Sequence, residues 1–195
     1  ENQANAIDVN TNDPDDSEGS GLTYQITGGV DAALFSINTN TGVVTFNSAP
    51  DFENPVDSNA DNNYEIVVTV TDSGGLTDNQ AITITVTDAN DAPSITSNAT
   101  TSVAENQTTA INVNSQDPDG DTEGSGLTYQ ITGGVDQALL TINSNTGVVT
   151  FNSGPDFENP VDSNADNNYE IQVTVTDSGG LTDNQAITIT VTDAN

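Results

Sequence analysis

The chain of 195 residues contains no lysine, arginine, histidine, cysteine, methionine or tryptophan. Without histidine, cysteine or lysine it cannot form a Ser-His-Asp triad, a thiolate nucleophile, a Schiff base or a phosphate-binding lysine. Structural zinc is excluded because it requires cysteine or histidine ligands, and disulfide bonds are excluded too. Because no basic side chain can neutralise phosphates, we expect neither nucleic acid nor an anionic membrane surface as a partner.

Acidic residues dominate what is present, since 30 Asp and Glu residues give a formal net charge of −30. Carboxylates, hydroxyls, amides and backbone carbonyls are the ligands that Ca²⁺ and Mg²⁺ prefer. An acidic surface adapted to high salt would also explain the charge, but not the positions of the acids. No apolar run approaches the ~20 residues of a membrane span, so we expect no membrane insertion.

The sequence repeats itself almost completely. Residues 1–90 align with residues 105–195, identical at 78 of 90 positions once Gly120 is treated as an insertion. A repeat of this length is a domain and not a short solenoid unit. We therefore predict one domain at 1–90 and a second at 91–195, with a linker at 88–93. Residues 91–104 have no counterpart before Glu1, so the first domain is predicted to lack its first strand.

Apolar residues alternate with polar ones in short runs separated by turn residues. Residues 22–26, 64–70 and 82–86 show this period of two, and the copies do the same. Such alternation indicates strands with one face in a core and one in solvent. The sequence predicts an all-β fold, a tandem of two-sheet sandwiches with about seven strands each.

The acids are concentrated in turns and at strand ends. Each copy contains a Glu-Asn pair, an Asp-Pro-Asp, an Asp-Phe-Glu, an aspartate ending a long strand, and an Asp-Ala-Asn near its end. Clustered carboxylates repel one another unless a cation bridges them. Ca²⁺ accepts 6–8 oxygen ligands in a flexible shell, so ligands gathered from several loops suit it.

In this order and spacing, the five motifs resemble the cadherin repeat, most closely the bacterial cadherin-like repeats of large surface adhesins and filaments. The resemblance implies a Greek-key sandwich with Ca²⁺ bound between successive repeats. For the complete junction it implies the ligands Glu1, Asp51, Glu53, Asp88, Asn90, Asp91, Asp117, Asp119 and Asp177. A half-site facing a preceding repeat would use Asp13, Asp15 and Asp72, and one facing a following repeat would use Glu105, Asp156, Glu158, Asp193 and Asn195.

Some residues depart from the family pattern. Ala92 stands where the family has a second linker asparagine, and Ala104 instead of proline precedes Glu105. The absence of tryptophan removes the anchor for the strand-exchange adhesion of vertebrate cadherins. The loop at 54–63 is also longer than the usual family connection.

Several motifs have simpler readings that stay open. Asp-Pro-Asp is a favourable turn in its own right, and Asp51 with Glu53 could form a glycosidase pair, although acids two residues apart are common. The loop with Asp57 and Asp61 could hold another ion, but solvated turn residues are the expected reading. The tyrosines and phenylalanines could form a sugar platform, but their alternation with Ile and Val favours the core.

We therefore expect no enzymatic activity. The favoured function is a rigid, Ca²⁺-stiffened segment of a stalk or filament, secreted or at the cell surface, whose partners are neighbouring repeats of the same or an identical chain. The alternative is a homophilic or carbohydrate-binding adhesion module, with a cell-surface or glycan ligand, which would need exposed aromatic or apolar surface.

Overall fold

The structure, a computed structural model, describes residues 1–194, so the proposed ligand Asn195 lies outside the described residues. It divides into two compact units, of which the first is Glu1–Ala89 and the second begins at Asn90. Among the described residues no helix is long and apolar enough to cross a membrane.

The first unit consists of six strands and one turn of 3₁₀ helix at Ala32–Leu34. Its strands are β1 (Asn5–Asp8), β2 (Thr23–Gly28), β3 (Phe35–Ile37), β4 (Val43–Phe46), β5 (Asn63–Thr71) and β6 (Thr77–Thr85). They form two antiparallel sheets, ordered β1-β4-β3 and β2-β5-β6. Because β1, β3 and β4 lie in one sheet and β2, β5 and β6 in the other, the chain crosses repeatedly between the sheets.

The second unit repeats this order and adds strands. Its strands are β7 (Ser94–Ile95), β8 (Thr100–Ala104), β9 (Thr109–Asn112), β10 (Ser115–Gln116), β11 (Thr122–Glu123), β12 (Gly126–Gly133), β13 (Leu140–Ile142), β14 (Val148–Phe151), β15 (Asn168–Thr176) and β16 (Thr182–Thr192). The sheets are ordered β13-β14-β9 and β11-β12-β15-β16-β8, with β7 paired to β10. A 3₁₀ turn at Gln137–Leu139 precedes β13.

Each unit has its own hydrophobic core between its two sheets. In the second, the alternating residues of β15 and β16 turn inward, so that Ile171 and Ile189 are buried together with Phe151 of the facing sheet. In the first, Tyr64 of β5 packs edge-on against Phe46 of β4, with ring centroids 5.1 Å apart. Such aromatic pairs contribute about 0.5–1.5 kcal/mol beyond their buried area. The predicted all-β sandwich is confirmed.

The aromatic residues occupy these cores as predicted. None of the four tyrosines and five phenylalanines, all of which the structure describes, is in the exposed class. Tyr24, Tyr64, Tyr129 and Tyr169 are all at most 3% exposed.

The units differ along one sheet edge. In the second unit β8 lies parallel to β16, pairing Thr188 with Thr100 through to Thr192 with Ala104. In the first unit β6 pairs only with β5 among the described strands, and most of its residues are exposed.

Candidate metal centre

One group of three carboxylates lies at the end of the first unit. Oxygens of Glu1, Asp51 and Glu53 all lie within 4.8 Å of one another. They come from the start of the chain and from the loop after β4, so the fold brings together residues far apart in sequence. Because the chain has no basic side chain, no lysine, arginine or histidine can offset the repulsion within this group.

Glu1 is fixed by backbone contacts. Its carboxylate accepts hydrogen bonds from the N–H groups of Phe52 and Ala89, the latter at 2.8 Å. Asn2 adopts a left-handed conformation with φ 60°, and its N–H donates to Pro50 O at 2.9 Å. Asparagine tolerates this conformation better than most residues. The Glu-Asn motif therefore combines a carboxylate with a turn that fixes the direction of its backbone.

Asp51 is kept ionised by its neighbour Asn54. The side-chain amide of Asn54 donates to one oxygen at 3.0 Å, and its backbone N–H donates to the other at 2.9 Å. The side-chain hydrogen bond from Asn54 is the main reason that the pKa of Asp51 lies below its ordinary value. A carboxylate that stays charged is the form that binds metal ions.

The second unit builds the same group independently. Glu105, Asp156 and Glu158 again have oxygens within 4.8 Å of one another. Glu105 is only 9% exposed and accepts hydrogen bonds from Phe157 N at 3.1 Å and Ala194 N at 3.2 Å. Asn106 repeats the left-handed turn, with φ 61°. The structure thus gathers six of the predicted ligands into two equivalent groups.

A second type of acidic group lies near the start of the second unit. The amide of Asn90 donates to Asp177 Oδ2 at 2.8 Å, and the N–H of Asp91 donates to Asp119 Oδ2 at 2.8 Å. These contacts join the linker to the Asp-Pro-Asp turn and to the end of β15, so predicted ligands from three segments meet here.

Asp117 has an unusual environment within this group. One oxygen accepts from Asp119 N at 3.1 Å, while the other is buried and has no hydrogen-bond partner. Burial is the main reason that the pKa of Asp117 is raised, and the nearby charges of Asp119 and Asp121 add to the effect. A buried, unpartnered carboxylate oxygen costs free energy. An oxygen-binding cation would supply the missing partner, so these residues fit Ca²⁺.

Asp177 is held differently, although it is only 6% exposed. Burial alone would raise its pKa, but hydrogen bonds from the Asn90 amide and from the N–H groups that follow Asp177 outweigh burial and lower it. One of these donors is Leu181 N, at 2.8 Å. Asp177 therefore remains charged despite its burial.

The corresponding residues of the first unit form the same turns. Asp13 accepts from Asp15 N at 2.9 Å, and Asp72 accepts from Leu76 N at 2.7 Å. The turn reading of Asp-Pro-Asp is therefore correct in both units, and it does not compete with metal binding, because one oxygen shapes the turn. Asp88 and Asp193, the predicted ligands at the ends of the two units, are exposed.

Two aspartates in each unit are buried, although the sequence predicted neither of them to be. Asp136, 2% exposed, accepts from Ser163 N at 2.7 Å and Glu170 N at 2.9 Å, and Asp31 is its counterpart. Asp57 is 6% exposed and accepts from Asp61 N and Asn62 N. The prediction that this loop is solvated is therefore wrong for Asp57, whose buried carboxylate accepts hydrogen bonds from backbone N–H groups of its own loop. These acids are saturated by backbone donors and serve as structural clamps.

Comparison with known proteins gives a consistent result. A family model described as the cadherin domain matches residues 1–87 and 99–192. Among curated proteins, the chain is 33% identical to halomucin of Haloquadratum walsbyi over 65% of the chain and 1% of that protein. It is 30% identical to the protocadherin-like wing polarity protein stan of Drosophila melanogaster over 96% of the chain and 5% of that protein.

Solved structures agree on the fold. Mouse cadherin-23 EC22-24 matches 98% of the chain and 59% of that structure, with a TM-score of 0.54 and 23% identity. The extracellular cadherin domains 3-6 of protocadherin gamma B2 match the whole chain and 43% of that structure, with a TM-score of 0.55 and 18% identity. The chain therefore spans only a small part of the curated relatives and about half of these solved structures.

Proposed function

The chain belongs to the cadherin domain family, a family of adhesion-type repeats and not of enzymes, and on that premise we propose that it is a calcium-binding structural segment of an extracellular stalk or filament. The two repeats are near-identical, which suits a part that supplies length and not distinct binding sites. A surface or secreted adhesin of a bacterium is the parent protein that we propose.

The observation that carries this proposal is the duplicated carboxylate group. Glu1, Asp51 and Glu53 in one unit and their counterparts in the other hold three carboxylates within 4.8 Å, in a chain that has no basic side chain to balance them. All available donors are oxygens, which select hard cations such as Ca²⁺. The buried, unpartnered oxygen of Asp117 supports the same assignment.

The proposed ligands are those that the family resemblance implies. In each unit the Glu-Asn and Asp-Phe-Glu motifs would hold Ca²⁺ at one end, and the Asp-Pro-Asp motif with the strand-ending aspartate would hold it at the other. That ions are shared between consecutive repeats, with Asp88 and the linker contributing, remains a prediction from the resemblance.

The alternative, an adhesive module that binds a glycan or a second copy, has weaker support. Sugar stacking needs exposed aromatic rings, and the aromatic residues are buried or half-buried. Exposed apolar side chains do occur, among them Val30, Val56 and Leu76, but isolated exposed apolar residues are normal on protein surfaces. We therefore favour the structural role.

Calorimetric calcium titration of two matched variants tests the proposal. Asp119→Ala removes a proposed ligand, and Asp61→Ala removes an equal charge from the exposed tip of the first unit's loop. Extracellular calcium modules bind at ~10⁻⁴–10⁻³ M. We expect Asp119→Ala to weaken affinity by about tenfold, equivalent to ~1.4 kcal/mol, and Asp61→Ala to leave it unchanged.

Two outcomes would contradict the proposal. Absence of calcium binding at millimolar concentration would remove the metal from the function altogether. Identical binding curves for the two variants would indicate general charge screening and would remove Asp119 from the ligand set. Asp166→Ala, the equivalent of Asp61→Ala in the second unit, controls for the difference in position.

A further inference from the structure

The turn between β10 and β11 contains the single Asp-Gly pair of the chain, formed by Asp119 and Gly120. The glycine is the residue inserted into the second repeat, so in the first unit Asp16 directly follows Asp15. The side-chain carbon of an aspartate can be attacked by the nitrogen of the next residue, and a glycine there hinders the attack least because it has no Cβ. The two near-identical units therefore differ at the position that controls this reaction.

The surroundings of Gly120 are open. Both residues of the pair are exposed. A Cβ placed on Gly120 would meet no atom of the described residues within 4 Å, and the φ of this residue is +88°. Residues with a side chain rarely adopt such a conformation, whereas glycine does so at no steric cost. The backbone nitrogen at this position is therefore neither crowded by neighbours nor restricted by a side chain of its own.

Hydrogen bonds hold this turn less tightly than the matching turn of the first unit. Gly120 N donates to Asp117 O at 3.3 Å, which is beyond the usual range of about 2.7–3.2 Å. In the first unit, Asp16 N donates to Asp13 Oδ1 at 2.8 Å. The nitrogen after the aspartate is thus held by a charged acceptor in the first unit, and by a longer bond to a neutral acceptor in the second.

We propose that Asp119 is a site of spontaneous isoaspartate formation and that its counterpart Asp15 is not. The Gly120 nitrogen forms a bond to Asp119 Cγ, and one side-chain oxygen leaves as water with the N–H proton and a proton from solvent. Water then opens the resulting five-membered succinimide, the nitrogen recovers a proton, and the new carboxylate releases one. Addition of water at Cγ restores aspartate, whereas addition at the main-chain carbon gives isoaspartate. The net composition is unchanged, so no oxidant or other reactant is required.

Isoaspartate would remove the Asp119 carboxylate from its present contact. That carboxylate accepts a hydrogen bond from Asp91 N at 2.8 Å. Isoaspartate adds one methylene to the main chain and carries its carboxylate on Cα, so the link between residue 91 and the Asp-Pro-Asp turn would be lost. Under the proposed function the same change removes a calcium ligand. This last consequence rests on that function, whereas the modification itself does not.

Incubation of the chain in H₂¹⁸O with chelator at neutral pH tests the modification. Each succinimide that hydrolyses incorporates one ¹⁸O atom. After transfer to ordinary water, cleavage after glutamate releases residues 2–18 and 106–123, and fragmentation in the mass spectrometer locates the label and the isoaspartate. We expect labelling at Asp119 to be at least about tenfold faster than at Asp15, equivalent to ~1.4 kcal/mol in activation free energy. A synthetic peptide of residues 113–124 is the positive control for the chemistry.

Two variants move the site. Deletion of Gly120 gives the second unit the Asp-Pro-Asp-Asp sequence of the first, and should lower labelling at Asp119 to the level of Asp15. Insertion of a glycine between Asp15 and Asp16 should raise labelling at Asp15 to the level of Asp119. Each variant introduces a turn sequence that the other unit already contains, so both are expected to fold.

Two results would overturn the proposal. Labelling of the peptide without labelling of Asp119 in the folded chain would show that the fold protects the pair, and equal labelling of Asp119 and Asp15 would show that Gly120 is not the cause. Calorimetric calcium titration of the isolated isoaspartate form tests the consequence, with an expected loss of affinity of about tenfold, as for Asp119→Ala. Unchanged affinity would remove Asp119 from the ligand set while the modification stands.

Discussion

Raising the pH should lower the stability of the second unit through its buried tyrosines. Burial raises the pKa of Tyr129 and of Tyr169 above the ordinary tyrosine value, and the two side chains are 3% and 1% exposed. In the unfolded chain a tyrosine titrates near pH 10. Above that pH the unfolded state releases protons that the folded state retains, so the free energy of unfolding falls as the pH rises.

The magnitude follows from counting protons. Each tyrosine that stays protonated in the fold at pH 11 lowers the free energy of unfolding by about 1.4 kcal/mol relative to pH 9, so the pair lowers it by about 3 kcal/mol. This chain is well suited to the measurement because it has no lysine, cysteine or arginine. Apart from tyrosine, the chain has no side chain that ordinarily titrates between pH 9 and 11.

Urea unfolding at pH 9, 10 and 11 measures the effect, and tyrosinate absorbance reports the titration itself. In a Tyr24→Phe, Tyr64→Phe background all tyrosine signals come from the second unit. Adding Tyr129→Phe should halve the pH dependence of stability. A flat free energy of unfolding between pH 9 and 11, together with a native titration at the ordinary tyrosine pKa, would refute the argument from burial.

Three further perturbations follow from the structure. Asp136→Asn should lower the free energy of unfolding by about 2–3 kcal/mol, because the charged acceptor of two backbone N–H groups is lost. Urea titrations should show the same loss with calcium and with chelator. A loss seen only with calcium would contradict a purely structural role for Asp136. Ala165→Gly should raise stability by about 0.5–1 kcal/mol because Ala165 has φ 57°, whereas Ala186→Gly within β16 should lower it. Magnesium should raise the melting temperature much less than calcium at matched concentration, because it requires near-octahedral geometry and dehydrates reluctantly; equal shifts would indicate screening.

The fold was predictable because the repeats obey simple periodicity. The alternation at residues 64–70 and 82–86 corresponds to β5 and β6, and the cadherin resemblance inferred from five short acidic motifs is confirmed. The two-residue strands β10 and β11 and the 3₁₀ turns were not predicted. Segments that short have no measurable period, and their hydrogen bonds depend on partners distant in sequence.

The residues of the candidate site could be proposed from the sequence, but their burial and hydrogen bonds could not. Residue spacing alone does not bring Glu1 close to Asp51, so that placement came from the family pattern. Asp31 was missed and Asp57 was predicted to be solvated, because aspartates in polar loops look alike in sequence whether they face solvent or backbone donors. The unpartnered oxygen of Asp117 likewise depends on burial, which a turn motif does not encode. Calcium binding by these residues stays a prediction.

The two repeats show how strand pairing changes the burial of identical residues. Residues 78–87 are identical to residues 183–192, yet Ile189 is fully buried and Ile84 is not. The local sequence therefore cannot be the cause of the difference in burial. The pairing of β8 with β16 in the second unit accounts for it.

An open, uncharged strand edge normally invites pairing between identical molecules, and proteins often prevent this with charges on the edge itself. Here residues 79–87 carry no charge, so the protection has to come from elsewhere. The net charge of −30 on the chain makes two copies repel each other as they approach. The same acids that suit the loops to calcium therefore also keep separate copies of the chain apart.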